Sequence, residues 1–119
     1  MDRRIDLRIQ KNIPLELKTE ENLLITTGYT KDIGLDGFQL ILDKNIFAEN
    51  FNNEIYCHFS LPNRQNPFNI KSKILNIKND TSTASYCRIR FTNLTKIEFY
   101  HLSNYINENL DAQPLRRIL

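Results

Sequence analysis

Two short stretches hold the groups with the most chemistry to offer. Asp32-Ile33-Gly34-Leu35-Asp36-Gly37 packs two carboxylates and two glycines into six residues, and glycine lets a backbone come close to a ligand. Far upstream, Arg3-Arg4-Ile5-Asp6-Leu7-Arg8 sets three guanidinium groups close together. As a site, the loop offers acceptors and close backbone approach, and the basic stretch offers positive charge. As scaffold, Asp36-Gly37 is a strong signal for a tight hairpin turn, and the arginines form a solvated basic tail. Each stretch taken alone favours scaffold, so the elements that position them carry the decision.

Residues 1–12 are charged without a lasting apolar period. They read as a flexible, extended arm that needs the domain surface or a ligand to order it. Ile13, Leu15 and Leu17 alternate with polar residues as in a half-buried strand, with Pro14 at its start or on an edge. A polar turn, Glu20-Glu21-Asn22, leads into a β-branched run from Leu23 to Lys31 that continues into Asp32. After Gly37, Phe38, Leu40 and Leu42 alternate again, so the loop joins strand to strand. A dinucleotide fingerprint needs its glycines between a strand and a helix, which excludes that interpretation. Residues 44–53 read as a short helical turn ending in Asn52-Asn53, which tolerate a left-handed backbone. Further strands follow at Ile55–Leu61, at Phe68–Ile77 with a slip near Ser72 to Leu75 that a bulge explains, and at Tyr86–Phe91. Thr95 with Glu98 makes a capping box, followed by Phe99, Leu102, Ile106 and Leu110 at helical spacing.

The expected architecture is therefore mainly β: a six-stranded antiparallel barrel or sandwich with one C-terminal α-helix at an end or face. Its parts are an arginine-containing arm (1–12), the barrel with its helix (13–110) and a tail (111–119). At 119 residues, 40% hydrophobic and 25% charged, one domain can bury a core without metal or disulfide staples. A net charge of +2 and a pI near 8.6 are too mild for wholesale nucleic-acid or membrane binding. The chain shows no apolar signal region or membrane-length run, so it reads as cytoplasmic. Cys57 and Cys87 lie among apolar strand residues and read as buried free thiols, with no metal site implied. His58 and His101 lack a partner at a telling spacing, and no nucleophile elbow or metal motif is present. The chain does not read as an enzyme.

Arg4 and Arg8 in the arm, spaced as RxxxR, then Asp32-x-Gly34-x-x-Gly37 between the second and third strands, together with the strand series and closing helix, resemble the PilZ domain family over nearly the whole chain. Tyr86-Cys87-Arg88-Ile89-Arg90-Phe91 also looks like the family's last strand before its helix. The resemblance implies a six-stranded β-barrel and binding of the bacterial second messenger cyclic di-GMP. It implies ligand contacts from Arg4, Arg8, Asp32, Gly34 and Gly37, with Arg3 a weaker candidate, and no metal or other cofactor. Arginine suits such a ligand because its planar fork pairs with phosphate or with guanine O6 and N7 and stacks on a base. Asp32 can accept from guanine N1–H and the N2 amino group, while Gly37 allows close approach or positive φ.

Two positions depart from the family pattern. Gly34 stands where serine is usual, and the missing hydroxyl is worth about 0.5–1.5 kcal/mol, or about 1.5–3 to a charged group. Arg88 stands where a small residue is frequent, and either contacts ligand or faces solvent. The main reading is a receptor that signals cyclic di-GMP occupancy to an unidentified protein partner, without membrane insertion or nucleic-acid polymer. The alternative is a ligand-independent PilZ-like adaptor with a degenerate nucleotide site. A nucleic-acid-binding barrel would need aromatics interleaved with a basic groove, and Tyr29, Phe38, Tyr56 and Tyr86 fit strand and core roles better. Sequence leaves the oligomeric state open.

Overall fold

The computed structural model describes residues 7–62, 66–80 and 84–110. In chain order the elements are β1 (Arg8–Ile9), β2 (Pro14–Lys18), β3 (Leu24–Gly34), β4 (Gly37–Leu42), β5 (Glu54–Phe59), β6 (Phe68–Asn79), β7 (Ser85–Asn93) and α1 (Lys96–Leu110). All pairings are antiparallel. The wall runs β3-β2-β5-β6-β7-β4, and β4 returns to β3, closing a barrel of six strands. Closure satisfies both edges of every barrel strand, which an open sheet cannot do. The alternating pattern fits barrel or sandwich, and the return of β4 to β3 makes it the barrel that the family resemblance implies.

Alternation also fills the interior. Leu15 and Leu17, Phe38, Leu40 and Leu42, Ile55, Cys57 and Phe59, and Cys87 and Ile89 all point inward and are buried. The ring of Phe38 meets Phe59 and Phe91 edge-on, with centroids 5.0 and 4.9 Å away, and Phe59 stacks on Phe68 at 4.9 Å. The slip in β6 is real, with register shifts at Lys71/Ser72 and Ile74/Asn76. Asn52 and Asn53 adopt φ of 53° and 60° after a single 3-10 turn at Ala48–Phe51.

The arm expected over residues 1–12 divides in the structure. Arg8 and Ile9 form β1, antiparallel to the end of β3, and Ile9 is fully buried. Burying an isoleucine side chain contributes about 1.5–3 kcal/mol, which together with the Thr30 hydrogen bonds to Lys11 and Ile13 opposes an ordering cost of about 1–2 kcal/mol per residue. Residues 1–6, including Arg3 and Arg4, lie outside the described residues, as does the tail 111–119.

The capping box forms at α1: the Thr95 amide donates to Glu98 Oε1 at 3.0 Å, and the Glu98 amide donates to Thr95 Oγ1 at 3.1 Å. Leu102, Tyr105 and Ile106 are buried, and α1 packs on β1. Phe99 shares their helical phase yet remains half exposed, with Ile97 and Tyr100 exposed beside it. The apolar stripe thus begins one turn before the wall that covers it. Among the described residues no helix is long and apolar enough to cross a membrane.

Cys57 and Cys87 are free and buried on β5 and β7, which both pair with β6 rather than with each other. Burial pushes each thiol up from the usual 9.0 to about 12. A thiol held neutral in this way is inert, because the thiolate is the nucleophile. Neither cysteine is therefore expected to react with iodoacetamide at pH 8 in the native protein, and both should react in urea. Because the folded pKa is raised, stability is complete below the unfolded value near 9.0 and falls as pH climbs from there toward 12.

Candidate functional site

Plain alternation along β3 would point Asp32 into the barrel, since Thr26, Gly28 and Thr30 all lie on the buried side. A register shift between Thr30 and Asp32 inverts the phase. One extra residue, Lys31, sends Ile33 into the core opposite Phe38 and brings Asp32 out opposite Gln39. A bulge re-aims side chains in this manner wherever it enters a ladder. Without it the candidate carboxylate would be a core residue.

Arg8 is brought to the same place by Thr30, which is fully buried. Its hydroxyl donates to Lys11 O at 2.5 Å and accepts from the Ile13 amide at 2.8 Å. Its amide donates to Ile13 O at 3.0 Å, and its carbonyl accepts from Asn12 Nδ2 at 2.8 Å. One threonine thus buttons the Lys11–Ile13 segment onto β3 between β2 and β1. Arg8 then pairs with Gly34, and Ile9 with Ile33.

The Arg8 guanidinium lies across the β3–β4 turn. Its Nε and Nη2 both donate to Asp32 Oδ1, at 2.9 and 2.6 Å. Its Nη2 also donates to Gly37 O at 3.2 Å, and its Nη1 donates to Asp36 Oδ1 at 2.9 Å. Arg8 and Asp32 are 20% and 19% exposed, whereas Asp36 is 61% exposed. The Arg8–Asp32 pair is therefore little screened, and the Asp36 contact is largely in solvent. Asp32 Oδ2 accepts no hydrogen bond among the described residues, so an acceptor remains for a ligand.

The last β3–β4 ladder pair is Ile33 with Phe38, which leaves Gly34 to Gly37 as a four-residue turn. No glycine has positive φ among the described residues, so that part of the expectation for Gly37 is corrected. A four-residue hairpin is ordinarily built on a type I turn, which needs no left-handed residue. Close approach is the reason for both glycines. A Cβ at Gly37 would lie 2.0 Å from Ile89 O, on the backbone of β7. One at Gly34 would lie 2.4 Å from Arg8 Nη1. The turn is also held on its far side, where the Phe91 amide donates to Asp36 O at 2.8 Å.

From Asp32 a row crosses the outer wall through Gln39 and Arg88 to Asn76, each residue opposite the next. At roughly 4.8 Å per strand, Arg88 stands about 10 Å from Asp32. Lys31, Lys78 and Tyr86 border the same row around a shallow groove of about 200 Å³. Arg90 and Lys73 stand directly opposite one another, and the like-charge cost of that pairing is offset by Glu54, which faces Lys73 from β5.

Of the sequence-derived candidates, the structure brings Arg8, Asp32, Gly34 and Gly37 together, while Arg3 and Arg4 lie outside the described residues. Sequence reading missed Thr30 as the seat of Arg8 and Asp36 as its second acceptor. Thr30 carried one usable signal, a hydroxyl in the inward phase of an apolar strand. His58 lies on β5 opposite Glu16, and His101 lies on α1 with its ring edge-on to Tyr100, so neither joins this constellation. No group of three or more metal-ligating side chains stands together among the described residues.

The fold has counterparts among known proteins. No curated protein sequence matches the chain. Among solved structures, the inhibitor of motility MotI/DgrA of Bacillus subtilis matches with a TM-score of 0.73 and 14% identity, over 95% of this chain and 54% of that one. This chain thus spans about half the length of that protein. The PilZ domain of YcgR from Escherichia coli, solved with c-di-GMP, matches at 0.68 and 16% identity over 98% of this chain and 100% of that one. The PilZ domain of CeSA from a cellulose-synthesizing bacterium matches at 0.60 and 16% identity, over 85% and 95%. These likenesses concern the fold, and the sequence evidence is separate. A family model described as PilZ domain matches residues 2–108, nearly the whole chain, and on that match the chain belongs to the PilZ domain family.

Proposed function

We propose that this chain is a cytoplasmic, non-catalytic receptor domain for cyclic di-GMP that reports occupancy to a protein partner. The observation that carries the reading is the meeting of Arg8 and Asp32, 24 residues apart, on the outer wall beside a turn flanked by Gly34 and Gly37. A guanidinium fork matches phosphate or the O6/N7 edge of guanine. Asp32 would accept from guanine N1–H and N2–H. Arg4, four residues before Arg8, would add a second fork. Arg88, two strands along the same row, would meet the distal half of an extended dinucleotide. The YcgR PilZ domain, of similar fold, was solved with this ligand, which supports the choice of ligand.

Occupancy has a physical route outward. Arg8 sits on β1, and β1 packs on α1, whose first turn presents exposed Ile97, Phe99 and Tyr100. A change in the hold on Arg8 therefore bears on the helix that a partner would meet. Calorimetric titration of the protein with cyclic di-GMP should give saturable heat, and Arg8→Ala and Arg4→Ala should each weaken it. Absence of heat from the wild type at millimolar ligand would sink the receptor reading.

One observation favours the adaptor reading: Gly34 replaces the family serine, and Arg8 is engaged by the chain's own acceptors. In that case wild type gives no heat, and Gly34→Ser creates binding where there was none. A modest gain on an existing affinity fits the receptor.

A further inference from the structure

We propose that Arg8 is a self-latch: it lies against the bare face of Gly34, bridges Asp32 to Asp36, and thereby fills the turn that an anionic ligand must enter. Asp36, which lies between the motif positions, is the positioning residue that closes it. The effect on ligand affinity rests on the cyclic dinucleotide reading above, whereas the latch itself does not.

Three features of the geometry point to it. The Nε, Nη1 and Nη2 atoms of Arg8 all donate to acceptors of the turn. A phosphate or guanine edge can use those donors only by exchange with carboxylates already present. The arrangement also depends on glycine. A Cβ at position 34 would stand 2.4 Å from Nη1 and 2.9 Å from Cζ of Arg8, so any larger residue would push the flexible end of the arginine off its seat. Finally, Asp36 has no need to turn inward. Its carboxylate is 61% exposed, yet its Oδ1 folds back to Arg8 and would lie 3.1 Å from the same Cβ. The space vacated by the serine side chain is shared by the tip of Arg8 and the carboxylate of Asp36. The substitution at position 34 is then more than a lost ligand contact, because it also creates a closed state.

Gly34→Ala separates the two effects. It adds the Cβ that unseats Arg8 but no hydroxyl, and the backbone accepts it, because no glycine described has positive φ. Asp36→Asn removes one charge of the bridge at an exposed position and keeps the fold. Two measurements test the latch on the full chain. In the ligand-free protein, the Arg8 Nη1–H resonances in ¹⁵N–¹H spectra, which report the donor held by Asp36, should exchange slowly with water, and both substitutions should accelerate them. In calorimetry, both substitutions should tighten cyclic di-GMP binding several-fold, and the double substitution should gain no more than the better single one. Fast exchange of Arg8 Nη1–H in the wild type, or protection there that survives both substitutions, would overturn the latch. So would unchanged or weakened binding by Asp36→Asn in a wild type that binds. If the wild type binds no cyclic di-GMP, the receptor reading fails, and the exchange measurement still supports or overturns the latch.

Discussion

Gly37→Ala is expected to cost the barrel about 3 kcal/mol, the upper part of the usual range for overpacking. The added Cβ would stand 2.0 Å from Ile89 O and 3.0 Å from Arg90 Cα. Both are backbone atoms of β7, so no rotamer change relieves the contact. β4 and β7 are locked in register from Gly37 opposite Arg90 to Leu42 opposite Ser85, and backing away would break the ladder that closes the barrel. Urea unfolding should show a lower midpoint with an unchanged slope, the signature of altered stability rather than altered compactness. A wild-type midpoint would show that β4 and β7 do not approach so closely. The motif glycine is thus explained by barrel closure, and any role toward ligand is additional.

Asp32→Ala is expected to weaken cyclic di-GMP binding by roughly 10- to 150-fold, the equivalent of losing a charge-assisted hydrogen bond of about 1.5–3 kcal/mol. Two losses outweigh the release of one end of the Arg8 bridge. The ligand loses the acceptor Oδ2, and Arg8 loses the carboxylate that orients its fork through Nε and Nη2. Arg8 retains Asp36 and Gly37 O, so the fold should survive with a modest loss of stability. Asp32→Asn keeps the size and one acceptor but not the charge, and should fall between alanine and wild type. Calorimetry on the three proteins at one ionic strength reads the order directly, and equal affinities would remove Asp32 from the site.

These two expectations separate what the chain encodes locally from what it encodes at a distance. Asp32 and Gly37 are recognisable as motif positions through the resemblance to the family. Their physical reasons are not. Asp32 faces outward only because Lys31 bulges, and an extra residue in a run of Gly28-Tyr29-Thr30-Lys31 leaves no mark in its alternation. Gly37 is small because of Ile89, more than fifty residues downstream. Arg8 was read as part of an arm, since residues 1–12 have no sustained period. What holds it is a single buried isoleucine and a hydroxyl on Thr30, neither of which makes a pattern.

The features that sequence determined by itself are those whose causes lie within a few residues. The inward alternation of Phe38, Leu40 and Leu42, the Thr95–Glu98 capping box, the left-handed Asn52-Asn53 and the slip in β6 each follow from local sterics or local hydrogen bonds. From them an antiparallel barrel or sandwich with a closing helix follows, and the family resemblance selects the barrel. Tertiary structure alone decided which way Asp32 points, what seats Arg8, and that Arg8, Gly34 and Asp36 share one small volume over the turn. That meeting joins residues 26 and 28 positions apart in sequence. Long-range ladder register brings it about, and register emerges only when all six strands close on a common core.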